Sequence, residues 1–137
     1  MKIKEFWNTV CEEMEFRFFT GEPSENFKIF FETMKPSMLH YIPSINYKIA
    51  LGLVSGAYLS GIRSALFIET DHLILIKDEL TTFNKQYKIP ILIITGGNAD
   101  LLGLKQFSLE ELSKINEYLF KKAHIPCVLN INKGEVV

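Results

Sequence analysis

The chain has 137 residues, 47% of them apolar and 23% charged, and carries a formal net charge of -1. That length makes one domain, residues 1–137, with a real core. The even charge excludes the basic surface of a nucleic-acid binder and the acidic bias of a disordered tail, and no apolar run is long enough to span a bilayer.

No apolar signal core follows Met1-Lys2-Ile3-Lys4-Glu5, so a cytoplasmic protein is expected. Cys11 and Cys127 lie far apart without a partner motif and read as buried thiols in a reducing compartment. From Lys2 to Met14, Ile3, Phe6, Trp7, Val10, Cys11 and Met14 recur at the three-four spacing of an amphipathic helix. Phe16 to Phe19 reads as a strand that stops at the turn Thr20-Gly21-Glu22-Pro23. Ser24 then caps a helix to about Met34, with Phe27, Phe30, Phe31 and Met34 on its buried face.

Met38 to Ile42 is a second short strand, ended by Pro43. The stretch from Ser44 to Gly61 reads as a helix with Ser44 or Asn46 as cap, poor in side-chain bulk at Ala50, Gly52, Ser55 and Gly56. Each internal glycine costs such a helix roughly 1 kcal/mol against alanine, so the pair implies close packing against a sheet or another subunit. Ile49, Leu53, Ala57 and Leu59 form its apolar stripe. Ser64 to Glu69 is the third strand, and Thr70-Asp71 reads as the cap of a helix from His72 to Tyr87, although Leu73 to Ile76 also suits a strand.

Ile89 to Thr95 is a continuous apolar strand closed by Gly96-Gly97. A loop covers Asn98 to Gln106, and Ser108-Leu109-Glu110-Glu111 is a capping box that opens a helix to about Lys122. Ile125 to Ile131 is the last strand, and Lys133-Gly134-Glu135 begins a polar tail. Strands and helices alternate throughout. The expectation is an α/β fold, an open, mostly parallel, doubly wound sheet with helices on both faces. Ligands of such sheets bind beyond the carboxyl ends of the strands. Thr20 to Ser24, Glu69 to His72, Thr95 to Asp100 and the head of the small-residue helix belong there.

Three segments, taken in order, carry a family resemblance: Phe18-Phe19-Thr20-Gly21-Glu22-Pro23-Ser24, Asn46 to Gly61, and Ile89-Pro90-Ile91-Leu92-Ile93-Ile94-Thr95-Gly96-Gly97. Together they resemble the pyrimidine-binding half of thiamine-diphosphate-dependent decarboxylases. The likeness is to the amino-terminal domain of phosphonopyruvate decarboxylase and the alpha subunit of sulfopyruvate decarboxylase. It covers roughly residues 5–132.

The resemblance implies thiamine diphosphate shared with a separate diphosphate-binding subunit in a hetero-oligomer, and a small 2-oxo acid as substrate. That partner would hold Mg2+ through a Gly-Asp-Gly and asparagine motif, which these residues lack. No metal ligand is expected in this chain. Thr20, Gly21, Glu22, Pro23, Asn46, Tyr47, Thr70 and Asp71 are the implied cofactor wall, with Tyr47 and His72 as the candidate catalytic residues.

Several positions depart from the pattern. The family's asparagine-glutamate-glycine-asparagine-alanine falls on Asn46-Tyr47-Lys48-Ile49-Ala50. Its glutamate hydrogen-bonds the pyrimidine ring, and a phenol with a pKa of about 10 cannot act as that carboxylate at neutral pH. Loss of a general acid–base group costs ~10²–10⁴ in rate. Thr70-Asp71-His72 replaces an asparagine-serine-glycine loop, and a histidine-bearing insertion is missing at Gly96-Gly97-Asn98-Ala99-Asp100.

Each candidate has two readings. Tyr47 is a hydrogen-bond donor to a pyrimidine nitrogen or an interface tyrosine. Asp71 is a helix cap or a ligand contact. His72 meets a substrate carboxylate or phosphonate, or solvent. Glu22 is a solvated turn residue or a carboxylate restored to the cleft, and Glu69 is similar. His40 and His124 read as structural or exposed. Two accounts of function follow: an active pyrimidine-side subunit, or a catalytically silent structural or regulatory one. A flavodoxin-like binding domain of purely topological similarity is a third.

Overall fold

In the computed structural model, the described residues are 3–34, 40–44, 46–96, 104–132 and 135–136. The expected positions Lys2, Met38, Leu39, Gly97, residues 98–103 of the expected Asn98-to-Gln106 loop, and Lys133-Gly134 lie outside them. Helix α1 is Ile3–Trp7 and continues as a wider, π-type turn over Asn8–Glu13. Its Phe6, Val10 and Cys11 are buried, as the three-four spacing demands. Strand β1 is Phe18–Gly21, so Thr20 and Gly21 belong to the strand rather than to the turn.

Ser24 caps no helix. The following helix, α2, is only Lys28–Glu32, with Phe27 at its cap position and no side-chain cap bond. Phe27 and Phe30 are fully buried, and Phe31 and Met34 pack against the same core from half-buried positions. Strand β2 is His40–Pro43, and helix α3 is Tyr47–Leu59 with Asn46 as its cap, accepting from the Ile49 amide at 3.0 Å.

Strand β3 is Ser64–Glu69. Helix α4 begins at Thr70–Leu73 and runs on through Ile74–Ile76, Lys77–Glu79 and Leu80–Asn84 with changing pitch. Strand β4 is Leu92–Gly96, preceded by buried Ile89 and Ile91. Helix α5 is Leu109–Glu117, continued over Tyr118–Ala123, and the expected capping box between Ser108 and Glu111 is present. Strand β5 is Cys127–Asn132, and the expected polar tail adds a short strand β6, Glu135–Val136.

The sheet order is β2-β1-β3-β4-β5-β6. The first five strands are parallel and only β6 is antiparallel. Residues of β3 and β4 are apolar almost without interruption because both faces are covered. One face packs Phe6, Phe16, Phe19, Phe27, Phe30, Leu112 and Leu129 around Phe67. The other packs Ala50, Leu51, Val54, Leu73, Ile76 and Leu80 on Leu66, Ile68, Ile91 and Ile93. The doubly wound α/β expectation holds. Cys11 and Cys127 are both buried and unpaired, and burial pushes each thiol from an ordinary 9.0 up to about 12.

The small residues of α3 divide in two. Ala50 and Ser55 face the sheet, and Ser55 Oγ accepts from buried Asn84 Nδ2 at 2.8 Å, which ties α3 to α4. Gly52 and Gly56 face outward, with open space where a side chain would be. Of the expected apolar stripe of α3, Ile49 and Leu59 are outward, 59% and 68% exposed, while Leu53 and Ala57 are half-buried. The buried residues are its neighbours Leu51 and Val54.

Chain order places β2 and β3 on opposite sides of β1. In open α/β sheets the ligand crevice opens at such a reversal, beyond the carboxyl ends of the strands. Gly21 is paired with Phe67, and a Cβ on Gly21 would lie 2.3 Å from the Phe67 carbonyl oxygen and 2.6 Å from its Cβ. The missing side chain lets β1 lie flush on β3 at this point. Gly21→Ala should therefore destabilise the fold by about 1–3 kcal/mol, as overpacked cores do. The urea midpoint would fall with its slope unchanged.

Candidate functional site

Beyond Gly21 the chain leaves β1 while β3 continues to Glu69. Glu22 therefore sits against the exposed end of β3. Its amide donates to the Phe67 carbonyl at 3.2 Å, and its carboxylate Oε1 accepts from the Glu69 amide at 2.8 Å. The same carboxylate lies 3.0 and 2.9 Å from His72 Nδ1, and Oε2 accepts from the Tyr47 hydroxyl at 3.3 Å. Glu22 is 8% exposed, which overturns the reading of a solvated turn residue. A carboxylate that deep is tolerated because three donors face it.

The Tyr47 and His72 rings stack, with centroids 4.8 Å apart and planes 26° from parallel. Tyr47 is held by the head of α3 and His72 by the first turn of α4. Residues 22, 47 and 72 come from three segments that meet at the reversal point. Burial, then the Glu22 charge and the bond to it, pushes the Tyr47 phenol above its ordinary 10.0, so it remains a proton donor. His72 Nδ1 faces a carboxylate and so carries the hydrogen. Its Nε2 has no hydrogen-bond partner among the described residues.

Glu69 is a second carboxylate at the same rim. It accepts from Ser24 Oγ at 2.5 Å and from Asn26 Nδ2 at 2.9 Å on both oxygens, so the loop after β1 is clasped to the end of β3. Thr70 and Asp71 do not cap α4. The cap position is Glu69, without a side-chain bond. Thr70 Oγ1 instead meets Thr95 Oγ1 at 2.8 Å and the Gly96 carbonyl, joining β3 to β4. Asp71 is exposed in the first turn, where a negative charge suits the helix dipole.

Of the other expected wall residues, Thr20 is fully buried and donates to the Ile42 carbonyl at 2.6 Å, and Gly21 is fixed by its contact with Phe67. Pro23 is exposed beside Glu22, and Asn46 Oδ1 is committed to its cap. His124 ends α5 in a left-handed conformation and lies 3.4 Å from the Tyr58 hydroxyl, away from this cluster. Among the described residues no group of three His, Cys, Asp or Glu is arranged to hold a metal ion, and no helix is long and apolar enough to cross a membrane.

No protein-family model matches the chain, and no curated protein matches it. Among solved structures, it is similar to a 2-oxoglutarate:ferredoxin oxidoreductase from Magnetococcus marinus, solved with 2-oxoglutarate, coenzyme A and succinyl-CoA bound. The TM-score is 0.73 at 12% sequence identity, and the match covers 98% of this chain but 29% of that one. At that identity the likeness establishes the fold. The chain spans less than a third of the neighbour's length.

The raised Tyr47 phenol gives a direct check. Spectrophotometric titration of the wild type minus Tyr47→Phe should isolate one tyrosine that ionises above the ordinary range. The sign follows from linkage: the stabilising contribution of Tyr47 is complete below the unfolded pKa of about 10 and is lost as pH rises through the higher native value. An ordinary midpoint for that difference signal would contradict the Tyr47–Glu22 contact.

Proposed function

We propose that this chain is the pyrimidine-side subunit of a two-chain, thiamine-diphosphate-dependent enzyme that acts on a 2-oxo acid. The observation that carries the reading is the meeting of Glu22, Tyr47 and His72 beyond the strand ends, at the head of the helix where the family resemblance puts its pyrimidine-binding residues. The fold neighbour adds support, since its structure was solved with a 2-oxo acid bound and this chain matches only part of it.

The donor set suits an aminopyrimidine. With the buried Glu22 carboxylate holding both rings from behind, the Tyr47 phenol, which stays protonated, and the outer nitrogen of His72 can pair with ring nitrogen and amino group, and the flat imidazole–phenol stack can lie along a ring. In this reading Tyr47, Glu22 and His72 hold the pyrimidine end, with Asn46, Thr70, Asp71 and the Thr20–Pro23 segment shaping the wall. The bound cofactor supplies an electron sink for the carbanion left by a departing carboxylate. This chain's residues bind and orient the ring, exclude water from one side and hold a proton at the Tyr47 oxygen.

The diphosphate and Mg2+ belong to a separate diphosphate-binding subunit. An outward apolar surface supports that association: Ile49 and Leu59 on α3 and Ile74, Leu75 and Phe83 on α4 are all exposed, beside the bare Gly52 and Gly56. Phosphonopyruvate or sulfopyruvate decarboxylation is the specific chemistry proposed, on the resemblance. The phenol at position 47 favours a second reading, a catalytically silent subunit that keeps the fold and the interface.

Co-expression with a candidate diphosphate-binding chain, followed by titration with thiamine diphosphate and magnesium, tests the proposal. The expected result is a stable complex and saturable cofactor binding. No complex and no binding would refute it. Within an active complex, Tyr47→Phe should lower turnover if Tyr47 contributes to chemistry and leave it unchanged in the silent reading.

A further inference from the structure

The two nitrogens of His72 stand in different positions. Nδ1 is held by both oxygens of a buried carboxylate, one ring face is covered by Tyr47, and the side chain is still 40% exposed. Hydrogen bonding to a carboxylate fixes the tautomer, with the hydrogen on Nδ1 and a lone pair on Nε2. Glu22 in turn cannot rotate freely, because the Glu69 amide and the Tyr47 hydroxyl occupy its remaining directions. This is an oriented imidazole whose second nitrogen has no hydrogen-bond partner among the described residues.

Charge selects what that nitrogen meets. Glu22 bonds the His72 ring itself, Glu69 is near enough for its charge to raise the Tyr47 phenol, and Asp71 is the exposed neighbour in sequence; among the described residues neither Glu22 nor Glu69 has a Lys or Arg partner. The nearest lysine in sequence to Tyr47, Lys48, is paired with Glu79 at 3.1 Å. Such a rim repels a carboxylate, phosphonate or diphosphate and attracts a cation or a neutral N–H donor.

We infer that Glu22 and His72 form an acid–base dyad in which His72 Nε2 exchanges a proton with a cationic or neutral N–H group of the ligand, Glu22 serving as the positioning residue. The choice of ligand rests on the function proposed above. In the forward direction the ligand N–H bond breaks, its proton bonds to the Nε2 lone pair, and the resulting imidazolium keeps its Nδ1–H···Glu22 bond. The return step restores both. The anionic end of any ligand lies elsewhere, so a substrate carboxylate or phosphonate is not what His72 contacts.

Nitrogen chemical shifts of the histidine-labelled full chain test this, with His72 assigned from His72→Gln. At neutral pH the free protein should show His72 as the Nδ1–H tautomer, and Glu22→Gln should mix the tautomers. Thiamine, used as a cationic aminopyrimidine without phosphate, should shift the His72 signal. Pyrophosphate and pyruvate should not. Loss of the charged bond should weaken the thiamine response by roughly tenfold or more. If Glu22→Gln does not fold, the wild-type tautomer and the three probes still decide the matter.

A response to pyrophosphate or pyruvate but not to thiamine would overturn the inference, as would no response to any probe or an Nε2–H tautomer. Cofactor binding by the two-chain complex with no thiamine response at His72 would sink the dyad and leave the subunit reading intact. A thiamine response without cofactor binding by the complex would retire the subunit reading alone.

Discussion

A carboxylate removed from water must be met by donors, and that requirement organises this molecule's strand-end cleft. Glu22 is buried at the point where β1 stops and β3 runs on. Its charge is accommodated by a backbone amide of β3, an imidazole from α4 and a phenol from α3. Removing any one of them leaves a buried charge undersatisfied, which costs more than the bond itself contributes. The heads of two helices and the ends of two strands are therefore tied to one side chain.

The core reaches the cleft through Phe67. Its ring packs edge-on or tilted against Phe6, Phe19, Phe27, Phe30 and Phe31, and its backbone carbonyl accepts the Glu22 amide. Gly21 makes the approach possible by having no side chain above that carbonyl. Packing on one face of the sheet thus sets the position of a charged group at its edge. The opposite face is built differently, with α3 and α4 pinned by Ser55 and Asn84 beneath an exterior rich in Ile, Leu and bare glycine.

The alternation of apolar strands and amphipathic helices is enough to read an α/β, mostly parallel sheet, because each signal is local. The capping box at Ser108 and the cap at Asn46 are legible for the same reason. The cleft is only half legible. Tyr47 and His72 stand out in sequence, but Glu22 lies 50 positions from His72 and its burial depends on a strand register that no local pattern encodes. Thr70 and Asp71 mislead because they have capping chemistry at a helix start, whereas the Thr70 hydroxyl is drawn to Thr95 across the sheet. On α3, three-four spacing marks two apolar stripes at once, and only tertiary contacts decide which is inward.

The coupling of Glu22 to His72 is the most direct measure of this account. Glu22→Gln, His72→Asn and the double variant form a cycle readable by urea unfolding of the full chain. Contacting residues in one hydrogen-bond network give interaction energies of about 0.5–3 kcal/mol, and a favourable coupling in that range is predicted. Strict additivity of the two single changes would contradict the central claim that a buried carboxylate holds the imidazole in place.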